Sequence, residues 1–128
     1  MIVAGVGCRR GASATAITAI VNASLARAGL AVDHLDAIAT TTARECEPGL
    51  LAAASQLGVP LVAVAHAELE AAGPRTITHS PRVRALTGVP SVAEAAALAL
   101  AGPAARLIVP RIVLDQVTCA LAKTGDTL

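Results

Sequence analysis

The sequence predicts an α/β domain in which a mostly parallel or mixed sheet of about five strands is flanked by helices in three layers. Short apolar runs alternate with helical periodicities in the order strand, helix, strand, helix, strand, and glycine or proline separates most of them. Apolar residues make up 55% of the chain, which is enough to build a sizeable core. This alternation favours parallel strands that are covered by helices.

The first half of the chain provides the alternation. "MIVAGV" is rich in β-branched residues and is bounded by glycine, so it predicts a strand. Ser13 can cap a helix over 14–28 that ends before Gly29 and carries Ile17, Ile20, Val21 and Leu25 on one face. The next predicted elements are a strand over 35–40, a helix that starts at Pro48 and runs to 57, and a buried strand over 59–65.

The second half adds shorter helices and two last strands. A short helix is predicted over 67–72, and Ser80 with Pro81 predicts the start of another that ends at Gly88. Ser91 and Glu94 form the S-x-x-E pattern of a capping box before an apolar helix to 101. The last strands are "RLIVP" and "QVTCALA", with Asp115 near the turn between them. With no repeat and no long linker, we expect one domain over residues 1–128.

Composition excludes several functional classes. The net charge of +1 argues against a nucleic-acid or membrane-surface partner, and the absence of Phe, Tyr and Trp leaves no ring on which a nucleobase could stack. The three cysteines are widely spaced without a C-x-x-C, which indicates a reducing cytoplasm. The N-terminus carries no basic region before its apolar run, so we expect no signal peptide, and the longest apolar segment is too short to span a membrane.

No cofactor or metal is predicted. His34, His66 and His79 are scattered without ligand spacing. The dinucleotide-binding pattern G-x-G-x-x-G also fails, because the third glycine comes one residue late at Gly11 and no acidic residue ends the second predicted strand.

The stretch "GVGCRRGASA" between the first strand and the first helix is the strongest candidate for a binding loop. Free backbone N–H groups and the helix dipole favour an anion there, and glycines let the chain approach a ligand closely. Arg9 and Arg10 can add forked bonds to a carboxylate or phosphate. The alternative is a simple turn with solvated arginines. Cys8 is more consistent with a small buried filler than with a nucleophile, and Ser13 with a helix cap.

Two glutamates are candidate acid or base groups. Glu47 precedes a predicted helix, in a loop that follows the second predicted strand as the glycine-rich loop follows the first. Both loops are therefore expected at the same sheet edge, where ligands bind in parallel α/β sheets. Arg44 is expected there too. The alternative for Glu47 is compensation of the helix dipole, and the alternative for Glu94 is the capping box.

Four segments together resemble the family formed by the C-terminal domain of the cobalamin-biosynthesis protein CbiG and its free-standing form CobE. They are "GVGCRRGASA", "TTARECEPGLLAAASQLGVPL", "SPRVRALTGVPSVAEAAAL" and "LIVPRIVLDQVTCALA", which cover nearly the whole chain. The pairing of G-x-G-C-R-x-G near the start with G-V-x-S-V-A-E-A-A-A-L near residue ninety is quite specific. Arg44 and Arg111 stand where the family often has lysine. Arginine keeps the positive charge at these positions but cannot supply a neutral amine.

This resemblance implies a role in corrin-ring synthesis with a precorrin or corrin intermediate as ligand. Such a ligand carries carboxylates around an apolar ring. A cleft that is edged by arginines and floored by aliphatic side chains would bind both parts of it. The predicted substrate-binding residues are Gly5, Gly7, Cys8, Arg9, Arg10, Gly11, Ser13, Arg44, Ser91, Arg111 and Thr118, and the candidate catalytic residues are Glu47 and Glu94.

Three functional hypotheses remain open from the sequence. The first is a carrier or accessory module that binds the intermediate and passes it to other enzymes of the corrin pathway. The second is an enzyme that acts on a precorrin, since full-length CbiG is associated with opening a lactone; the resemblance covers only its last domain. The third is an oligomeric or regulatory α/β module, such as a homo-oligomer, in which the loops form a subunit interface.

Overall fold

The computed structural model describes residues 1–81, 84–85 and 88–124, which form an α/β fold around one mixed sheet. The strands are β1 (Ile2–Gly7), β2 (Ala37–Thr41), β3 (Leu61–Val64), β4 (Arg106–Leu114) and β5 (Val117–Lys123). We number the helices of the described residues α1 (Ala14–Arg27), α2 (Pro48–Leu57), α3 (His66–Ala72) and α4 (Val92–Ala101), and short 3₁₀ turns lie at Val32–His34, Thr42–Arg44 and Gly73–Arg75.

The sheet has a parallel half and an antiparallel half that meet at β1. The strand order is β3-β2-β1-β5-β4, with β1, β2 and β3 parallel to one another. Strand β5 pairs antiparallel with both β1 and β4, so β4 and β5 form a hairpin. Its two turn residues, Asp115 and Gln116, have φ values of 51° and 64°, which are the left-handed values that a tight two-residue hairpin needs.

Each face of the sheet carries its own apolar core. Helices α1 and α2 cover one face, where Ile17, Ile20 and Leu50 pack on Val6 and Ile38. Helices α3 and α4 cover the other face, which includes Val3, Ala39, Leu69 and Leu98. The predicted three-layer α/β class is therefore confirmed.

Helix α4 consists largely of alanine and lies very close to β1. An added Cβ at Gly5 would collide with the carbonyl oxygen of Ala93 and would lie 2.7 Å from the backbone nitrogen of Ala97. Glycine at position 5 is therefore required by backbone packing. The expectation that Gly5 contacts a ligand is not supported, because this residue is buried beneath the helix.

Most predicted elements are confirmed, with shifts at their ends. Helix α2 has the predicted bounds, with proline in its first turn and Gly58 at its C-cap with a φ of 73°. Strand β3 is shorter than predicted, and β4 continues past Pro110 to Leu114 because bulges at an edge of the sheet tolerate the proline. The predicted helix over 80–88 includes residues outside the described part of the chain.

Candidate functional site

A cleft of about 510 Å³ opens where β1 and β2 end. Strand-end residues of β1, β2 and β5 line it, and so do Val64, Leu69 and Val92, whose side chains are apolar. Arg9, Arg44 and Arg111 also line this cleft, although they come from three separate segments of the chain. The structure thus combines cationic and aliphatic side chains in one cavity.

Two threonine hydroxyls bind the end of β1 inside this cleft. Thr40 Oγ1 donates to the carbonyl oxygen of Val6 at 3.1 Å, and Thr118 Oγ1 donates to that of Gly7 at 3.3 Å. An added Cβ at Gly7 would lie 2.6 Å from Thr118 Oγ1. Glycine at position 7 therefore keeps the space beside Thr118 open.

Arg44 connects the 3₁₀ turn after β2 to the glycine-rich loop. Its Nε donates to the carbonyl oxygen of Cys8 at 3.0 Å and its Nη1 to that of Ala43 at 3.3 Å. A guanidinium has more N–H groups than these two bonds use, so further donors remain for a ligand. Arg9 is exposed at the same cleft.

The backbone of the glycine-rich loop is held by the chain's own carboxylate. The N–H of Gly11 donates to Glu47 Oε1 at 2.6 Å, and Gly11 has a φ of 79°, which favours glycine. Glu47 makes no side-chain bond to the helix that it caps. Free backbone N–H groups were expected in this loop, but the N–H of Gly11 already donates to Glu47.

Arg10, Gly11 and Ser13 line a neighbouring cavity of about 440 Å³, on which Asp115 also borders. Ser13 acts as predicted at the start of α1, where its Oγ accepts from the backbone N–H of Ala16 at 3.0 Å. Of the predicted cationic residues, Arg9 lines both cavities. The loop is thus divided between two cavities rather than facing one.

Glu94 is completely buried, and both of its carboxylate oxygens accept hydrogen bonds. Its Oε1 accepts from the backbone N–H groups of Ile77 at 2.7 Å and Thr78 at 2.8 Å. Its Oε2 accepts from Thr78 Oγ1 at 2.7 Å and from the N–H of Arg111 at 2.8 Å. Burial raises the pKa of Glu94, but these hydrogen bonds together outweigh it and hold the pKa below its ordinary value of 4.5.

The capping box predicted at Ser91 is therefore only half formed among the described residues. Ser91 Oγ accepts from the backbone N–H of Glu94 at 3.3 Å, but the Glu94 carboxylate turns toward Ile77, Thr78 and Arg111 instead of the cap. Ser91 is itself completely buried, so contact with a ligand is not supported. The burial of Glu94 likewise gives no support to its candidate role as an acid or base.

Cys8 lines the cleft but carries a neutral thiol. Burial raises its pKa above the ordinary value of 9.0, and the opposing effect of the Arg44 charge is smaller. A thiol in this state is a weak nucleophile.

Several residues of the cleft were not predicted from the sequence, namely Thr40, His66, Val64, Leu69 and Val92. The run Thr40–Thr41–Thr42 at the end of a predicted strand was a signal for hydroxyls at the sheet edge. His66 begins α3 and its Nε2 lies 3.7 Å from Glu70 Oε2. In the part of the chain that the structure describes, no cluster of three or more His, Cys, Asp or Glu side chains could hold a metal ion, and no helix is long and apolar enough to cross a bilayer.

Fold and cleft together define an α/β domain whose strand-end cleft is lined by arginines and aliphatic side chains. Residues 2–122 match the family described as "Cobalamin synthesis G C-terminus", and the chain belongs to this family. This confirms the resemblance found in the sequence. Family membership supports a role in cobalamin biosynthesis.

Individual relatives agree with this assignment. The chain is 43% identical to the protein named "Protein CobE" of Sinorhizobium sp over 121 residues, which cover 94% of this chain and 79% of that protein. A crystal structure of CobE, described as a protein from the cobalamin (vitamin B12) biosynthetic pathway, superposes with a TM-score of 0.88 at 39% identity and covers 95% of this chain and 89% of that one.

Two further solved structures share the fold. The cobalamin biosynthesis protein chiG from Agrobacterium tumefaciens str. C58 is 45% identical with a TM-score of 0.75, and the alignment covers 98% of this chain and all of that one. A cobalamin biosynthesis protein G homolog from Sulfolobus solfataricus is 21% identical with a TM-score of 0.71, over 97% of this chain and 37% of that chain. At that identity the last comparison concerns the fold alone.

Proposed function

We propose that this protein binds a polycarboxylate precorrin or corrin intermediate in the strand-end cleft and acts as a carrier or accessory module of cobalamin biosynthesis. The observation that carries the proposal is the meeting of Arg9, Arg44 and Arg111 with apolar side chains in one cavity. Guanidinium groups form forked, charge-assisted bonds to carboxylates. Aliphatic side chains suit the apolar part of the ring.

The size and openness of the cleft fit this ligand class. Ligand pockets commonly measure about 300 to 1,000 Å³, and the cleft lies within that range. Because it opens at the surface, an edge of the ring with its carboxylate arms would enter while the rest stayed accessible. Such partial enclosure suits a protein that hands its ligand to other enzymes of the pathway, for which we expect a cytoplasmic location.

The geometry supports binding more than catalysis. Glu94 is buried with both oxygens bonded, and Glu47 already accepts a hydrogen bond from the loop. The thiol of Cys8 is neutral. These groups therefore serve structure first, and the arginines contribute charge without exchanging protons.

An absorbance titration tests the proposal, because a chain without Tyr or Trp leaves the ligand spectrum unobscured. The probe is cobyrinic acid, a corrin ring with free side-chain carboxylates, and the comparison ligand is cobinamide, in which these carboxylates are amides. We expect cobyrinic acid to bind at least tenfold more tightly, since charge-assisted hydrogen bonds contribute about 1.5 to 3 kcal/mol each. Equal affinity for the two ligands, or no binding of either, would overturn the proposal.

Charge variants extend this test. Arg9→Gln should weaken cobyrinic acid binding about tenfold, while the matched variant Arg27→Gln, at the exposed C-terminal turn of α1, should bind like the wild type. If the loop instead forms a subunit interface, replacing Arg9 and Arg10 with alanine changes the oligomeric state and leaves ligand affinity unaltered. Light scattering on the same samples separates these outcomes.

A further inference from the structure

Arg111 lies where β4 departs from regular pairing with β5. From Val109 to Ile112, β4 advances three residues while its partner advances two, from Leu121 to Cys119. The extra residue makes this segment a β-bulge, and a second irregularity lies between Leu107 and Val109. Bulges release a backbone group from the ladder and redirect a side chain. At this bulge the residue that lines the cleft is an arginine.

The backbone N–H of Arg111 is received by a buried carboxylate. It donates to Glu94 Oε2 at 2.8 Å, and Glu94 is completely buried at the start of α4. That helix also contributes Val92 to the cleft. The carboxylate therefore bonds the bulge to the helix on the same side of the sheet as the ligand cavity.

We propose that Glu94 is a positioning residue for anion binding, because its buried carboxylate fixes the main chain of β4 at Arg111 and so directs this guanidinium into the cleft. The inference rests on the proposed function and extends it to a residue that does not touch the ligand. It assigns to Glu94 a role in affinity that is separate from its role in stability.

The roles of Glu94 in affinity and in stability must be separated by experiment, because Glu94 also bonds to the segment before α4. Ile77 and Thr78 donate to the same carboxylate, and neither of them lines the cleft. Thr78→Val provides a matched structural control, since it removes the hydroxyl bond to Glu94 Oε2 and leaves the Arg111 N–H in place. If Glu94 acts through Arg111, this control should lower stability with little effect on affinity.

A double-mutant cycle tests the inference with cobyrinic acid as the probe. Glu94→Gln keeps the shape of the side chain but has a single side-chain oxygen. The donors that are now shared between the two carboxylate oxygens of Glu94 would then have only one acceptor atom. We expect Arg111→Gln to weaken binding about tenfold and Glu94→Gln to weaken it several-fold. We expect the double variant to bind no more weakly than Arg111→Gln alone, because the positioning effect disappears when the guanidinium is gone.

The outcomes separate this inference from the proposed function. Multiplicative effects in the double variant, wild-type affinity in Glu94→Gln, or wild-type affinity in Arg111→Gln would each overturn the positioning role, while a loss of affinity in Arg9→Gln would leave the proposed function standing. No binding by the wild type would overturn both. If Glu94→Gln does not fold, Glu94→Asp takes its place in the cycle, because it keeps the charge but withdraws the carboxylate by one methylene.

Discussion

The glycine-rich loop and the bulged segment of β4 border the same cleft, and each is held by a glutamate from the start of a helix. Among the described residues, Glu47 accepts one hydrogen bond, from the N–H of Gly11, and it is partly exposed. Glu94 accepts four hydrogen bonds in the described structure and is completely buried. Glutamate at the N-cap of α2 and glutamate in the first turn of α4 therefore provide two attachments of different strength.

The difference shows how burial changes the energy of one interaction. A hydrogen bond near solvent can be replaced by a bond to water, whereas buried donors that lose their acceptor remain unsatisfied. We therefore expect the bond between Gly11 and Glu47 to open at lower cost than the bonds to Glu94. The Glu94 carboxylate that accepts the N–H of Arg111 is completely buried, so we expect the side of the cleft that carries Arg111 to be the more rigid one.

The largest effect is expected from Glu94→Ala. This change removes the buried acceptor of four part-buried donors on Ile77, Thr78 and Arg111, so we expect a loss of about 3 to 5 kcal/mol in the free energy of unfolding. Urea unfolding followed by far-ultraviolet circular dichroism measures it. A loss below about 1 kcal/mol would contradict the difference between the two attachments.

The second prediction concerns how the free energy of unfolding changes at acidic pH. Because the folded-state pKa of Glu94 lies below its ordinary value of 4.5, its ionised form stabilises the fold above about pH 4.5. That contribution is lost as the pH falls through the lowered pKa. The unfolding free energy of the wild type should therefore decrease more steeply below pH 4.5 than that of Glu94→Gln. Parallel curves for the two proteins would show that Glu94 is not held in its charged form by the fold.

The smallest effect is expected from Glu47→Ala. Loss of a single, partly exposed acceptor should cost about 0.5 to 1.5 kcal/mol. The sharper readout is amide hydrogen exchange, which should become faster at Gly11 in this variant. Glu45→Ala is the matched control, since it removes an exposed carboxylate two residues away and should leave exchange at Gly11 unchanged.

Much of this architecture could be predicted from the sequence, because hydrophobic periodicity and the residues that begin and end helices are local features of the chain. The bounds of α2 follow from Pro48 and Gly58, and the cap at Ser13 follows from its place before an apolar periodicity. The placement of Arg9 and Arg44 at one cleft follows from the rule that strand ends meet at one sheet edge, whereas Arg111 reaches the same cleft from a bulge within β4.

The partners of the two glutamates could not be predicted in this way. The S-x-x-E spacing predicts a bond within the helix, but Glu94 instead receives the N–H of Arg111, which lies seventeen residues away across a bulge. A bulge depends on how a strand pairs and packs with residues that are distant in the sequence, so it has no local sequence pattern. In the same way, nothing in "GVGCRRG" shows that the amide of Gly11 is already taken by Glu47.

The close approach of α4 to Gly5 limits how the cleft can be enlarged. Backbone touches backbone there, so the helix cannot retreat or carry a larger residue without separating from the sheet. We therefore expect evolution or design that produces a wider cavity to alter the loops after β1 and β2. Diversity among relatives of this protein should accordingly concentrate in those loops, while the helix–strand contact stays constant.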